Sequence, residues 1–338
     1  MKLRLLIWLI AFVGALAPRA FAESISPPRP DIERFGVNDA SIRQAARLLG
    51  YVSGQAAGLD KVARQHPELA YRVEALHREF TVRYSFPNLR ARWFLEDALG
   101  KQDAERLVAE YIAPIEQSIG SMDRARAEVF LREVEDRVNG RVSEPEHKTM
   151  LWLAHSDAGY QEMRTWSQEF SSAGHQKAAG LNITLSVPFS WDQEEGSRPH
   201  VVSKWTSQDG TGDVVATLLV RELVGVVVYD NVAEVKDLGD WEWLIPDGFE
   251  FRDGTAVEID RQPGLRVDSK GARRSLDTVI KLRSRTYTIF PPNRMVQLSC
   301  MLGSTPGGDA GLLEFRMREV RQTCRQIAAS ITFPDTYR

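Results

Sequence analysis

Residues 181–205 read LNITLSVPFSWDQEEGSRPHVVSKW, and the hydrophobic pattern of the chain changes there. Ile183, Leu185 and Val187 alternate with polar residues, a period of two that is typical of a strand with one buried face. A proline then indicates a bend, an acidic turn follows, and residues 201–206 return to a strand pattern. We therefore predict a β-hairpin that opens a strand-rich region.

The chain before this hairpin has a helical pattern. From residue 35 to 172 apolar residues recur at spacings of three and four, and Asp39 is placed to cap the first helix. The stretch 173–180 is small and polar, which is typical of a domain boundary. The segment 23–34 has three prolines within four positions, which disfavours a helix. The sequence therefore predicts an extended lead-in over 23–34, an all-helical domain over 35–172 and a linker over 173–180.

The chain after the hairpin alternates between strand patterns and turns, and it closes with a helix over 310–331. Leu313, Met317 and Val320 begin an apolar stripe on this helix that needs a partner surface. The helix also carries four arginines that we expect to face solvent: Arg316, Arg318, Arg321 and Arg325. The fold class that this order predicts is α+β, with an antiparallel sheet sandwiched with helices over 181–338.

Two cysteines lie on the elements that close the chain. Cys300 shares the apolar face of the last strand, and Cys324 lies on the apolar stripe of the following helix. Both thiols should therefore point into one layer. A disulfide between them is one interpretation, and two buried free cysteines are the other. A buried apolar setting disfavours the thiolate, so we expect neither to be a nucleophile.

The N-terminal residues predict export. Lys2 and Arg4 precede the apolar run 5–17, and Ala20-Phe21-Ala22 follows as a cleavage site. We predict a signal peptide over 1–22, a periplasmic or secreted bacterial location and no membrane span after cleavage. Removing the three basic residues of this segment takes the formal charge from −3 to −6. A mildly acidic chain argues against a general nucleic-acid binder.

The sequence predicts no catalytic residue set, cofactor or metal. It contains no HExxH, no GxSxG and no phosphate-binding loop. Glu144 and His147 have the spacing of a carboxylate-bridged metal motif, but a single copy favours a chance match. The run Asp209-Gly210-Thr211-Gly212 indicates a turn between strands.

Two alternative hypotheses remain open at this stage. One is an enzyme with a site at the domain junction, built from His175, His200, Asp192 and Glu195, since junctions often hold pockets. The other is a carrier of small ligands that uses Trp241 and Trp243 as a ligand or partner surface. Core packing is the competing interpretation of each tryptophan.

Three pieces of the strand-rich region resemble a known family. They are the bend Val187-Pro188-Phe189-Ser190-Trp191, the long hairpin over 279–302, and the closing helix that ends in the segment 328–337. Together these residues, about 181–337, resemble the PsbP-like group of α/β/α sandwich domains. The helical domain resembles the N-terminal part of exported bacterial proteins that carry such a module.

The resemblance implies a binding module without a catalytic residue set, because members of this group serve as accessory or assembly factors. We therefore expect an exported, non-catalytic binding or accessory protein that acts on a protein or envelope component.

Overall fold

The computed structural model describes residues 27, 29, 31–118, 120–224, 229–237, 241–275, 278–304 and 309–337. The predicted signal peptide over 1–22 lies outside these residues. Within them, no helix combines the length and the apolar character needed to cross a membrane.

Helices dominate the described residues up to Glu162. Their bounds are α1 Asp39–Gln65, α2 Ala70–Arg83, α3 Pro87–Leu99, α4 Lys101–Ser118, α5 Arg124–Val138, α6 Glu144–His155 and α7 Gly159–Glu162. The helix starts follow local capping rules: Asn38 forms a capping box at α1, Asp123 caps α5, and Pro87 occupies the first turn of α3. The first cap therefore lies at Asn38, one residue before the predicted Asp39.

Helix α6 differs from the other helices because residues 147–153 are all buried. It packs against α1 and α3 on one side and faces the strand-rich region on the other. A helix that is buried on every side joins two layers. α6 is therefore the structural link between the two halves of the chain.

The strands within the described residues form two antiparallel sheets. Their bounds are β1 Ser167–Ser171, β2 Thr184–Pro188, β3 Asp192–Glu195, β4 Val201–Thr206, β5 Val214–Glu222, β6 Phe249–Ile259, β7 Gln262–Ser275, β8 Thr278–Ile289 and β9 Arg294–Gly303. β1 and β2 form a ribbon, and the other strands form one sheet in the order β3-β4-β5-β9-β8-β7-β6.

The closing helix, α9 (Ala310–Ala329), lies on one face of the large sheet. Its stripe residues Met317, Val320 and Ile327 are at most 1% exposed. They pack with the inward-facing apolar residues of β5 and β9. The opposite face is covered near β7 by the short helix α8 (Val232–Lys236) and a 3₁₀ turn, Glu242–Leu244. The predicted α+β fold class is confirmed.

Three segments differ from the predicted organisation. The stretch 181–205 does not form one hairpin, because β2 pairs with β1, and the expected acidic turn at 192–195 is the strand β3, which pairs with β4 in the large sheet. Residues 167–171, assigned to the helical domain, form β1 because Phe170 packs edge-on against Trp205 and the backbone pairs with β2. The sequence of β1, SQEFS, contains a single apolar residue, Phe170, so it shows no alternation that would indicate a strand. The expected linker 173–180 is packed, since Ala178 is buried and Ser172 hydrogen-bonds to the backbone at 181–183. The boundary between the regions is therefore a folded connection.

The structure places the sulfur atoms of Cys300 and Cys324 at bonding distance, with Cα atoms 6.0 Å apart. We predict that the protein contains this disulfide, which closes a loop of 24 residues and should stabilise the fold by about 3 kcal/mol. Alkylation under denaturing conditions without reductant, followed by mass spectrometry, should find no modified cysteine. Two alkylated thiols in protein isolated without reductant would contradict the bond.

The domain junction and a candidate binding site

The two halves of the chain have separate hydrophobic cores. One core lies among α1–α6, and the other lies between the large sheet, the β1–β2 ribbon and α9. Buried and half-buried polar and charged side chains lie between them. We call this set the junction layer; its members are Lys148, Asp157, Glu162, Ser190, Asp209, Asp213 and Arg316. The halves are therefore joined through directional contacts.

Arg316 holds three segments together in the junction layer. It binds Asp157, which follows α6, through bonds of 2.7 Å from Nε and 3.0 Å from Nη2. It binds Asp213, which precedes β5, through bonds of 2.7 Å from Nη1 and 2.6 Å from Nη2. The side chains of Arg316 and Asp157 are each only 4% exposed. The expectation that Arg316 faces solvent is therefore wrong.

Burial opposes the charge on Arg316, but the hydrogen bonds to Asp157 and Asp213 raise its pKa above the ordinary value for arginine. Burial also raises the pKa of Asp157, and the bidentate contact with Arg316 opposes that rise. A buried ion pair is retained only where most of its hydrogen-bonding capacity is used. Here the guanidinium donates to four carboxylate oxygens.

Glu162 makes a second buried contact across the junction layer. Its two carboxyl oxygens accept hydrogen bonds from the backbone N and the hydroxyl of Ser190, both at 2.6 Å. No cation pairs with Glu162 among the described residues. Complete burial therefore raises its pKa from 4.5 to about 7, and the bonds from Ser190 only partly offset this effect.

The turn between β4 and β5 docks on the helical half. The side chain of Asn38, the residue that caps α1, donates to the carbonyl of Thr211 at 2.7 Å. The Nζ of Lys148, on α6, lies 3.3 Å from Asp209 and 2.9 Å from Glu144. The glycine-containing run 209–212 is thus a turn, as predicted, and its exposed backbone serves as the docking surface.

The Glu144–His147 motif does not come together as a metal site. Glu144 turns toward Lys148, while His147 is buried among the rings of Trp166 and Phe189, with centroids at 4.5 and 4.9 Å. Burial lowers the pKa of His147 to about 4, so its imidazole is neutral. In the described ranges, no three histidine, cysteine or acidic side chains converge as they would around a metal ion.

The residues of the junction-enzyme hypothesis have separate partners. His175 accepts from the backbone N of Lys177, and the Nζ of Lys177 lies 2.7 Å from Glu195. Asp192 is 3.6 Å from the Nζ of Lys148, and His200 is exposed. None of them lines either of the two cavities that we describe. The structure therefore offers this hypothesis no assembled site.

One cavity lies in the helical half, and the other lies beside the sheet. The first, of about 320 Å³, lies between α3 and α4 and is lined mainly by alanine and aliphatic side chains. The second, of about 480 Å³, lies between the C-terminal half of α9 and the strands β6, β7 and β8. We call the second the arginine cavity; its lining residues are Val257, Glu258, Ile259, Asp260, Arg266, Arg285, Tyr287, Arg325, Ala328 and Ala329. Its volume is within the range of small-molecule sites.

Strand register builds the polar wall of the arginine cavity. Arg285 lies directly opposite Asp268, and Tyr287 directly opposite Arg266, across the β7–β8 pair. Asp268, only 7% exposed, accepts two hydrogen bonds of 2.7 Å from Arg285 and one of 3.2 Å from Arg266. Burial opposes the charge on Arg285, but its bonds to Asp268 raise its pKa. The carboxylate therefore orients both guanidiniums.

The tryptophans of the carrier hypothesis point to different places. Trp241 packs inward, so close to Gly254 that a Cβ there would lie 2.5 Å from its ring. Trp243 is 55% exposed, and its ring centroid is 6.4 Å from that of Phe290. Trp241 thus belongs to the packing under β7, while Trp243 remains the exposed member of the predicted surface.

Sequence reasoning missed the junction layer and the arginine cavity. Arg316 is three residues after Leu313 and four before Val320, so it continues the stripe, and this spacing was the available signal. The cavity gave no such signal. Its lining residues come from four elements, and strand pairing decides whether they lie close together.

We predict that Arg316→Met lowers the free energy of unfolding by about 3–5 kcal/mol, because Asp157 would remain buried without a cation. Urea denaturation measures the change. The control Arg318→Met removes an exposed arginine two residues away and should cost less than about 1 kcal/mol. Asp157→Asn in the Arg316→Met background should recover part of the loss. Equal effects of the two arginine substitutions would contradict this role.

The raised pKa of Glu162 predicts a pH dependence. A carboxyl whose pKa rises on folding contributes stability below its unfolded pKa, and that contribution is lost as pH rises through the folded value. Between pH 4.5 and about 7, Glu162 should therefore destabilise the native state increasingly, by up to about 3 kcal/mol. Glu162→Gln should remove this slope in urea denaturation. The exposed control Glu169→Gln should keep it, and parallel curves for wild type and Glu162→Gln would refute the assignment.

No family model and no curated protein matches the sequence. The solution structure of cyanobacterial PsbP from Synechocystis sp. PCC 6803 is similar over 50% of this chain and 92% of its own, with 12% identity and a TM-score of 0.33. The crystal structure of LpqN, involved in cell envelope biogenesis of Mycobacterium tuberculosis, is similar over 51% and 94%, with 16% identity and a TM-score of 0.32. Each likeness covers about half of this chain, and at these TM-scores neither carries an argument about its fold or its function.

Proposed function

We propose that the chain is an exported, non-catalytic accessory protein that binds an envelope component in the arginine cavity. The observation that carries this proposal is the cavity itself, about 480 Å³ between α9 and the β6–β8 end of the sheet. Export rests on the signal peptide predicted over 1–22. The helical half contributes no residue to this cavity.

The walls of the arginine cavity suit binding. One wall is apolar, with Val257 and Ile259 on β6 and the small Ala328 and Ala329 on α9. The other wall carries arginines and the hydroxyl of Tyr287. An apolar surface with a few oriented polar groups is the usual composition of a ligand site. The alanines matter because larger side chains at these positions of α9 would fill the space.

A photo-crosslinking experiment tests the proposal. A benzophenone amino acid replaces Glu258, which is exposed and lines the cavity. The matched control replaces Gln193, an exposed residue of β3 at the opposite edge of the sheet. Irradiation in envelope extract should produce adducts from position 258 and not from position 193. The adduct mass distinguishes a protein partner from a small ligand.

A blocked cavity provides the second arm. Ala329→Trp places a large ring at an exposed position that lines the cavity, so it should remove the adduct at position 258 without unfolding the protein. Adducts that persist in this variant, or that form equally at position 193, would overturn the arginine cavity as the binding site.

A further inference from the structure

The arginine cavity has more hydrogen-bond donors than its own acceptors can use. Asp268 is approached by Arg285, by Arg266 and, at 3.7 Å, by Arg321. One carboxylate has two oxygens and a single charge, so it cannot neutralise three guanidiniums. The other charged partners of these arginines are Asp253 and Glu314, which are 62% and 45% exposed and therefore compensate weakly.

Arg325 is the third arginine that lines the cavity, with Arg266 and Arg285. Arg325 lies on α9, exposed at the cavity, and its side chain forms no hydrogen bond or ion pair with any residue in the described ranges. Tyr287 adds a hydroxyl, and burial raises the pKa of this phenol, so it keeps its proton for donation at neutral pH. These donors converge from β7, β8 and α9.

Two carboxylates also line the cavity. Asp260 accepts from the backbone N of Phe333 at 2.6 Å and from the hydroxyl of Tyr337, so it is committed to holding the C-terminal segment. Glu258 is exposed on the edge strand β6 and pairs with no described residue. Among the described residues, neither carboxylate forms an ion pair with an arginine of the cavity.

We infer that the arginine cavity binds a phosphate group carried on a small organic moiety, an inference that rests on the proposed function of this cavity. Guanidinium forks match phosphate oxygens, and donors from three elements surround a tetrahedral anion better than a planar carboxylate. A phosphomonoester also carries about −1.5 to −2 charges, which suits several cations. The volume of about 480 Å³ and the apolar wall of Val257, Ile259 and Ala328 accommodate an organic part beside the phosphate.

The phosphate could belong to a soluble metabolite or to a lipid headgroup, and two assays separate these sources. Isothermal titration uses glycerol 3-phosphate, with glycerol as the neutral control. Flotation uses vesicles of phosphatidylcholine with and without phosphatidic acid. Saturable binding of the soluble phosphate, or retention that requires phosphatidic acid, supports the inference and identifies the source.

Matched variants locate the site. Arg285→Met and Arg325→Met should each weaken phosphate binding by roughly 10- to 100-fold, the effect of losing charge-assisted hydrogen bonds. Arg198→Met removes the same charge from an exposed loop away from the cavity and should leave binding unchanged. Because Arg285 also braces Asp268, its variant is checked by thermal melting, and the exposed Arg325 variant gives the answer if Arg285→Met fails to fold.

The outcomes separate this inference from the proposed function. Absence of saturable binding in both assays, or equal loss with Arg198→Met, overturns the phosphate assignment. If crosslinks at position 258 still form and are still blocked by Ala329→Trp, the cavity remains the binding site for another chemical class. If those crosslinks are also missing, the proposed function fails with the inference.

Discussion

The contact between Arg316, Asp157 and Asp213 is the constraint on which the rest of the structure depends. It joins the end of α6, the start of β5 and the middle of α9 at one buried guanidinium. Each of these segments belongs to a different layer. Since an unpaired buried charge costs several kcal/mol, none of the three can move away without strong destabilisation. The position of α9 on the sheet is thereby coupled to the position of the helical half.

The junction layer explains why two separate hydrophobic cores behave as parts of one architecture. Apolar contacts are non-directional, so they would tolerate sliding between the halves. Directional bonds at Glu162–Ser190 and between Lys148 and Asp209 specify a single arrangement instead. The same arrangement leaves α9 over the centre of the sheet. The β6–β8 end is then only partly covered, and the arginine cavity lies there.

The arginine cavity and the junction layer are both built on ion pairs between arginine and aspartate, but the pairs have different roles in the two places. At Arg316 both carboxylates are tied to one guanidinium, so its donors are used within the fold. At Asp268 the guanidiniums outnumber the carboxylates instead, because three arginines surround one carboxylate. Satisfied networks stabilise a fold, whereas surplus donors at a cavity are available to a ligand. The number of guanidiniums relative to carboxylates therefore distinguishes the structural site at Arg316 from the candidate binding site at the cavity.

Much of the fold could be predicted because it follows from local patterns. The α+β class, the strand-rich region after residue 181 and the stripe of Leu313, Met317 and Val320 all follow from the period of apolar residues. The helix caps follow from single side chains. What sequence reasoning misplaced was either short, as at β1, or polar and buried, as at Arg316.

The sequence by itself determined the order of elements, the stripe on α9 and the inward direction of Cys300 and Cys324, because each depends on residues that are neighbours along the chain. Only the tertiary structure decided that Arg316 is buried and that Trp241 and Trp243 diverge. It alone brought Arg266, Arg285 and Arg325 to one cavity. The physical reason is that burial, ion pairing and cavity shape depend on contacts between segments that are distant in sequence. Strand register and helix docking determine which of these segments are in contact.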